Sequence, residues 1–227
     1  MADSLVAEAQ AEVLLFSKRM LADQLVYYTA GNISVRVPGH IDRIALTPRD
    51  TAYDTMVADD IVITDSWGSV IESNGRLPTS EAPMHLGIYR ARPDVLGVVH
   101  THSPAAMAMA TIGDRLPAIL TGLVSAAGGD IHVAPYARSA SNEMDEFTLP
   151  LLEERSVCFL RNHGLLAIGS TLEQAYNAAA VTEGAADAYL RARPYSPLEL
   201  PGEEIERIRN KWIRRWPDRV SAVDQGA

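Results

Sequence analysis

The 227-residue chain is short of cysteine, of long apolar runs and of positive charge, and each shortage excludes something. Cys158 is its only cysteine, so there is no disulfide framework, which fits a reducing cytoplasm. That thiol lies in the apolar run Val157-Cys158-Phe159-Leu160 and reads as buried rather than nucleophilic. No apolar run approaches the length of a membrane span, and the N-terminus carries no signal-peptide pattern, so no membrane partner is expected. Lys and Arg number 20 against 29 Asp and Glu, a formal net charge of −9. That balance argues against nucleic acid as a partner but leaves room for a small anionic substrate held by local donors. Internal repeats, low-complexity blocks and a Gly-rich dinucleotide loop are also lacking.

What is present suits one soluble domain over residues 1–227, with 47% of residues hydrophobic and a substantial core. Apolar residues at helical spacing predict a helix from Ser4 to about Tyr28, ended by Gly31. The alternation in Asn32-Ile33-Ser34-Val35-Arg36-Val37 predicts a half-buried strand. Short strands follow at Arg43–Leu46 and Ile61–Thr64, with turn chemistry at Gly68 and Asn74-Gly75. Thr79-Ser80-Glu81 with Pro83 opens a helix that runs to about Arg92. After a strand ending in His100-Thr101-His102, Ser103-Pro104 opens an Ala- and Met-rich helix. Strands are expected at Ile131–Val133, Ser156–Leu160 and Leu165–Ile168, with helices from about Asn142 to Glu153, Leu172 to Arg191 and Pro201 to Trp216. Strands interspersed with helices indicate a mixed α/β layer fold.

The candidate chemistry lies at strand ends. In a strand, residues i and i+2 share a face, so His100 and His102 project together and can hold one ion. His163 follows another apolar run, and Glu81 opens the helix upstream. Three His with an open position suit a catalytic divalent metal, and a nearby free carboxylate can move protons. The amide of Asn32, the backbone at Gly31-Asn32 and the hydroxyls of Thr79 and Ser80 are anion donors, the last two beside a helix N-terminus. Helix capping is the alternative use of Thr79 and Ser80. His85, four residues after Glu81, either orients Glu81 or packs. His40 and His132 read as structural or surface residues.

These residues occur within an ordered series: Gly31-Asn32-Ile33-Ser34-Val35-Arg36, Thr47-Pro48, Pro78-Thr79-Ser80-Glu81, Arg92-Pro93-Asp94-Val95, Val98-Val99-His100-Thr101-His102-Ser103-Pro104, Ala126-Ala127-Gly128-Gly129, Ala134-Pro135-Tyr136 and Asn162-His163-Gly164-Leu165. The series resembles the class II aldolase/adducin family. The resemblance implies a three-layer α/β/α fold with a central, mostly antiparallel sheet. It implies a homotetramer with active sites at subunit boundaries. It matches His100, His102 and His163 to three zinc ligands (Mn2+ or Co2+ being alternatives), Glu81 to the acid/base, and Gly31, Asn32, Thr79 and Ser80 to part of a phosphate cradle. The implied reaction is retro-aldol cleavage of a small phosphorylated ketose through a metal-stabilised enediolate.

Two departures bear on the substrate. Thr47-Pro48-Arg49-Asp50 stands where the family's sugar-phosphate aldolases read Thr-Pro-Ser/Thr-Gly, so Arg49 enters as a candidate anchor for phosphate or carboxylate. The alternative is an Arg49-Asp50 surface pair. A family tyrosine acid would align near Gly122, leaving Tyr136 as a substitute. A decarboxylase of a hydroxylated aromatic or sugar acid is therefore the alternative reading, with a sugar-phosphate 4-epimerase or an adducin-like binding module behind it. Trp212, Trp216 and Tyr195 are expected either to pack or to form a lid.

Overall fold

The computed structural model describes residues 2–138 and 143–216. In chain order the elements are α1 (Ala2–Ala22), β1 (Asn32–Arg36), β2 (Ile44–Leu46), β3 (Val62–Thr64), β4 (Val70–Glu72), α2 (Ala82–Ala91), β5 (Gly97–Thr101), α3 (Pro104–Ile112), α4 (Thr121–Ala127), β6 (Val133–Ala134), α5 (Glu143–Leu152), β7 (Val157–Leu160), β8 (Gly164–Gly169), α6 (Leu172–Ala192) and α7 (Gly202–Ile213). The strands form one sheet in the order β4-β3-β2-β1-β5-β8-β7-β6. Every neighbouring pair is antiparallel except β6 with β7. This is the three-layer α/β/α arrangement that the resemblance implies.

The two faces of the sheet explain why its central strands read as unbroken apolar runs. On β8, Leu165 and Ala167 join the core under α1, α3, α4 and α6, while Leu166 and Ile168 join the one under α2 and α5. On β7, Val157 and Phe159 face one way, Cys158 and Leu160 the other. A strand covered on both faces has no solvent side to keep polar.

β1 corrects the expectation of a half-buried strand, because all five residues are buried. Ile33 and Val35 enter the α1/α6 core, and the polar set Asn32, Ser34 and Arg36 faces α2 rather than water. Burial of that set is compensated by hydrogen bonds: Arg36 donates to the carbonyls of Tyr89 (2.8 Å) and Val95 (3.5 Å).

Other boundaries shift for local reasons. α1 stops at Ala22, not Tyr28: Gln24 adopts φ 58° and the Leu25 N–H reaches the Met20 carbonyl at 3.0 Å. That i to i−5 bond after a left-handed residue is a helix stop, sealed by the buried Leu25. The expected strand at Ile131–Val133 appears at Val133–Ala134, because Ile131 bridges to Leu116 instead. β4 and α4 were not foreseen, being short and without strong periodicity. Asn142, expected to begin α5, lies outside the described residues. Trp212 and Trp216 form no lid: both are buried, and Trp212 donates to the Ser156 hydroxyl at 3.1 Å. Tyr195 is 86% exposed. Among the described residues no helix is long and apolar enough to cross a membrane.

Candidate metal centre

Three strand ends and one helix start meet at this centre. β5 lies between β1 and β8, with His100 opposite Asn32 on one side and Leu166 on the other. β7 and β8 form a hairpin closed by Leu160 and Gly164. Its three-residue turn, with Asn162 left-handed at φ 56°, carries His163 to the edge of β5. The segment after His102 is tied down by Glu183 of α6, whose carboxylate accepts the N–H groups of Ala105 and Ala106, both at 2.8 Å. Those are orphan donors at the start of α3.

Two glycines allow the close approach. A Cβ at Gly164 would lie 2.3 Å from the Thr101 carbonyl oxygen and 3.2 Å from both the His100 and His102 rings. At Gly31, with φ +70°, a Cβ would lie 2.6 Å from the carbonyl oxygen of His100. Tyr53 donates its hydroxyl to the Gly31 carbonyl at 2.5 Å, holding that turn against the sheet.

The imidazoles of His100, His102 and His163 stand edge to face, with ring centroids 4.7 to 4.9 Å apart. One ligand atom from each, and one from Glu81, all lie within 4.8 Å of one another. Nε2 of His100 is 2.9 Å from Nε2 of His102 and 3.2 Å from Oε2 of Glu81. Nε2 of His163 is 3.2 Å from Oε1 of Glu81. His100 Nδ1 donates to the Leu165 carbonyl at 2.8 Å, which aims its Nε2 at the centre, as the outer hydrogen bonds of metal-binding imidazoles do. Three imidazoles and a carboxylate placed this way could hold a divalent ion.

The electrostatics agree with a site built for a cation. Burial lowers His102 to about 3 and His163 to about 4, the neighbouring His100 adding to both shifts. Both are therefore neutral ligands at neutral pH. Burial also pushes His100 down, but the adjoining Glu81 carboxylate outweighs it and holds the group above its ordinary value. Burial alone would raise the Glu81 carboxyl; His100, His163 and the Asn32 amide reverse that and hold it well below the usual carboxylate range.

A cleft of about 210 Å³ runs from this centre. Glu81, His102 and His163 line its metal end, and Gly31, Asn32, Arg49, Asp50, Thr79 and Ser80 line the rest. His100 is fully buried and does not line it. Thr79 is buried, and its hydroxyl accepts the Glu81 N–H at 3.3 Å; it supports the turn into α2 rather than standing free. Glu81 itself occupies the N-cap of α2 without capping it through its side chain. Ser80 is exposed to the cleft. Arg49 and Asp50 are both exposed and make no ion pair with each other, and Asp50 takes the left-handed φ of 52° that a glycine would otherwise supply. A larger cleft of about 820 Å³ adjoins, sharing Arg49, Thr79 and Ser80. Tyr136 is 63% exposed and does not line the metal cleft.

His85 is fully buried and reaches Asn32, not Glu81 directly. Sequence reasoning missed that link and the role of Tyr53. The signal was available for the first: Glu81, His85 and Tyr89 recur every four residues, one face of α2, matching the polar alternation of β1. Nothing in the sequence marks Tyr53.

Residues 11–190 match the model of the Class II Aldolase and Adducin N-terminal domain. A 5-deoxy-D-ribulose 1-phosphate aldolase of Bacillus thuringiensis serovar kurstaki is 33% identical over 211 residues, 92% of this chain and 97% of the relative. A 5-methylthioribulose-1-phosphate/5-deoxyribulose-1-phosphate aldolase of Rhodospirillum rubrum is 37% identical over 186 residues, 81% of each chain. A solved L-fuculose 1-phosphate aldolase superposes with a TM-score of 0.85 at 32% identity, covering 90% of this chain and 96% of its own. With a three-histidine and glutamate cluster at one end of its cleft, the chain belongs to the class II aldolase/adducin family, whose aldolases are metal-dependent lyases.

Proposed function

We propose that the protein cleaves a ketose 1-phosphate by retro-aldol chemistry, with a zinc ion held by His100, His102 and His163. The observation that carries this reading is the polarity of one cleft: a cation site at one end, anion donors along the rest. A bound divalent ion supplies the Lewis acidity that breaking a carbon–carbon bond beside a carbonyl requires. Glu81 stands next to the ligand atoms and delivers a proton to the carbon that loses its bond. The Asn32 amide, the Ser80 hydroxyl and the Arg49 guanidinium bind the phosphate, Arg49 offsetting the charge that Asp50 brings to the same rim.

Two of the relatives are named for 5-deoxyribulose 1-phosphate, and in one of them 97% of the length is matched, which makes that sugar the first substrate to assay, with L-fuculose 1-phosphate second. A homotetramer with its sites at subunit boundaries and a cytoplasmic location complete the reading.

The test is calorimetric titration of zinc-loaded protein with phosphoglycolohydroxamate, which mimics the reactive form of a three-carbon ketose phosphate. Tight binding that disappears with the metal is expected. Failure to bind, with zinc verified in place, would reject the phosphate cradle and turn the assignment to decarboxylation of a substrate anchored by its carboxylate on Arg49.

A further inference from the structure

Behind the cleft lies a chain of buried polar groups that ends on Glu81. The Tyr89 hydroxyl is 3.0 Å from Ser34 Oγ, and Ser34 Oγ is 2.7 Å from His85 Nδ1. His85 Nε2 is 2.6 Å from Asn32 Oδ1, and Asn32 Nδ2 donates to Glu81 Oε2 at 2.8 Å. Ser34 and His85 are both fully buried, so no water competes for these bonds.

The directions along the chain follow from chemistry. An amide oxygen can only accept, so His85 Nε2 carries the proton. Its Nδ1 is then a bare acceptor, so Ser34 donates to it, and the remaining lone pairs of Ser34 accept from Tyr89. Burial keeps this ring from taking a second proton, lowering it to about 3.

The orientation of the Asn32 amide is fixed from both ends. Glu81 Oε2 accepts from its NH2, and the Nε2–H of His85 requires its carbonyl oxygen on the other side. A flipped amide would set the Asn32 NH2 against the Nε2–H of His85, donor against donor in a dry site, where an unmade hydrogen bond is costly. We infer that His85 is a positioning residue: by fixing the amide of Asn32 it keeps the Asn32 NH2 on Oε2 of Glu81 and so holds that carboxylate in place beside His100 and His163. This inference rests on the reading of Glu81 and Asn32 as site residues.

Two measurements test it. In the zinc-loaded protein with 15N-labelled histidine, the His85 ring should report a bare Nδ1 and a protonated Nε2; the opposite tautomer would overturn the inference, whatever the substrate. A double-mutant cycle on cleavage of 5-deoxyribulose 1-phosphate then asks whether His85 acts through Asn32. His85→Phe should lower kcat at least tenfold in the native background and less than twofold in Asn32→Ala. His85→Gln, whose amide can still donate to Asn32, should recover most of the loss. Ser34→Ala, a smaller change in case the Phe variant does not fold, should lower kcat in the native background only. Equal losses in both backgrounds, with Asn32→Ala and Glu81→Gln themselves impaired, would reduce His85 to packing. Full activity in Glu81→Gln would instead overturn the site reading, and this inference with it.

Discussion

Two carboxylates flank α2, one buried and one half-buried, and they behave oppositely. Glu81, 5% exposed at the helix start, is pulled well below the usual carboxylate range. Asp145, on α5 against the other side of the helix, is pushed up to about 6. Burial opposes charge at both. At Glu81, the imidazoles and the Asn32 amide more than offset it. At Asp145, burial wins because Arg90, the cation paired with it among the described residues, stands 3.7 Å away; its Oδ1 has no hydrogen-bond partner among the described residues. Asp145 packs so closely on the bare backbone of Gly87 that a Cβ there would lie 1.8 Å from Oδ2. The contrast shows that a carboxylate is charged in a protein interior because of the groups aimed at it.

Breaking the imidazole half of the Glu81 arrangement should have the largest effect. His102→Ala is expected to lose both bound metal and turnover, which metal analysis of protein purified without chelator, paired with an activity assay, will check. Activity at native level without metal would contradict the centre. Glu81→Gln sharpens the comparison by leaving the imidazoles in place: metal content should hold while kcat falls by about 10² to 10⁴, the usual contribution of a positioned acid/base.

Arg49→Ala, at the far end of the cleft, should weaken phosphoglycolohydroxamate binding by about tenfold, a modest loss because the side chain is exposed. An unchanged affinity would remove Arg49 from the cradle.

Asp145→Asn tests the other carboxylate, and here the expected sign is a gain. Asp145 has an ordinary value near 3.8 and a folded value near 6, so between those limits the folded state holds more protons than the unfolded state. Stability is therefore lost as pH rises through that window. The neutral amide should stabilise the protein by on the order of 2 kcal/mol above about pH 6 and by nothing below about pH 4. Denaturant unfolding at pH 8 and pH 4 would show it; an equal effect at both would mean that packing, not charge, is the cause.

Much of this contrast could not be read from the sequence. Glu81 was legible because its neighbours Thr79 and Ser80 and the later H-x-H have recognisable chemistry and spacing. Asp145 carries no local signal, since its environment is made by α2, more than fifty residues away in the chain. The alternation of Asn32, Ser34 and Arg36 was legible as a strand, yet its usual meaning, one wet face, is wrong here because α2 covers that face. Likewise Trp212 and Trp216 could be read as lid or packing, and only their burial under the sheet decides for packing.

The sequence by itself determined most of the element types, the apolar runs of the central strands, and the candidate metal-binding residues, because periodicity and short-range spacing are local properties of a chain. Only the tertiary structure decided that His163 meets the H-x-H pair, that Arg49 and Asp50 line the same cleft as that cluster, and that His85 reaches Asn32. Those facts depend on strand order, hairpin geometry and the docking of α2, which bring together residues dozens of positions apart, and pairing of that range leaves no periodic trace in the chain.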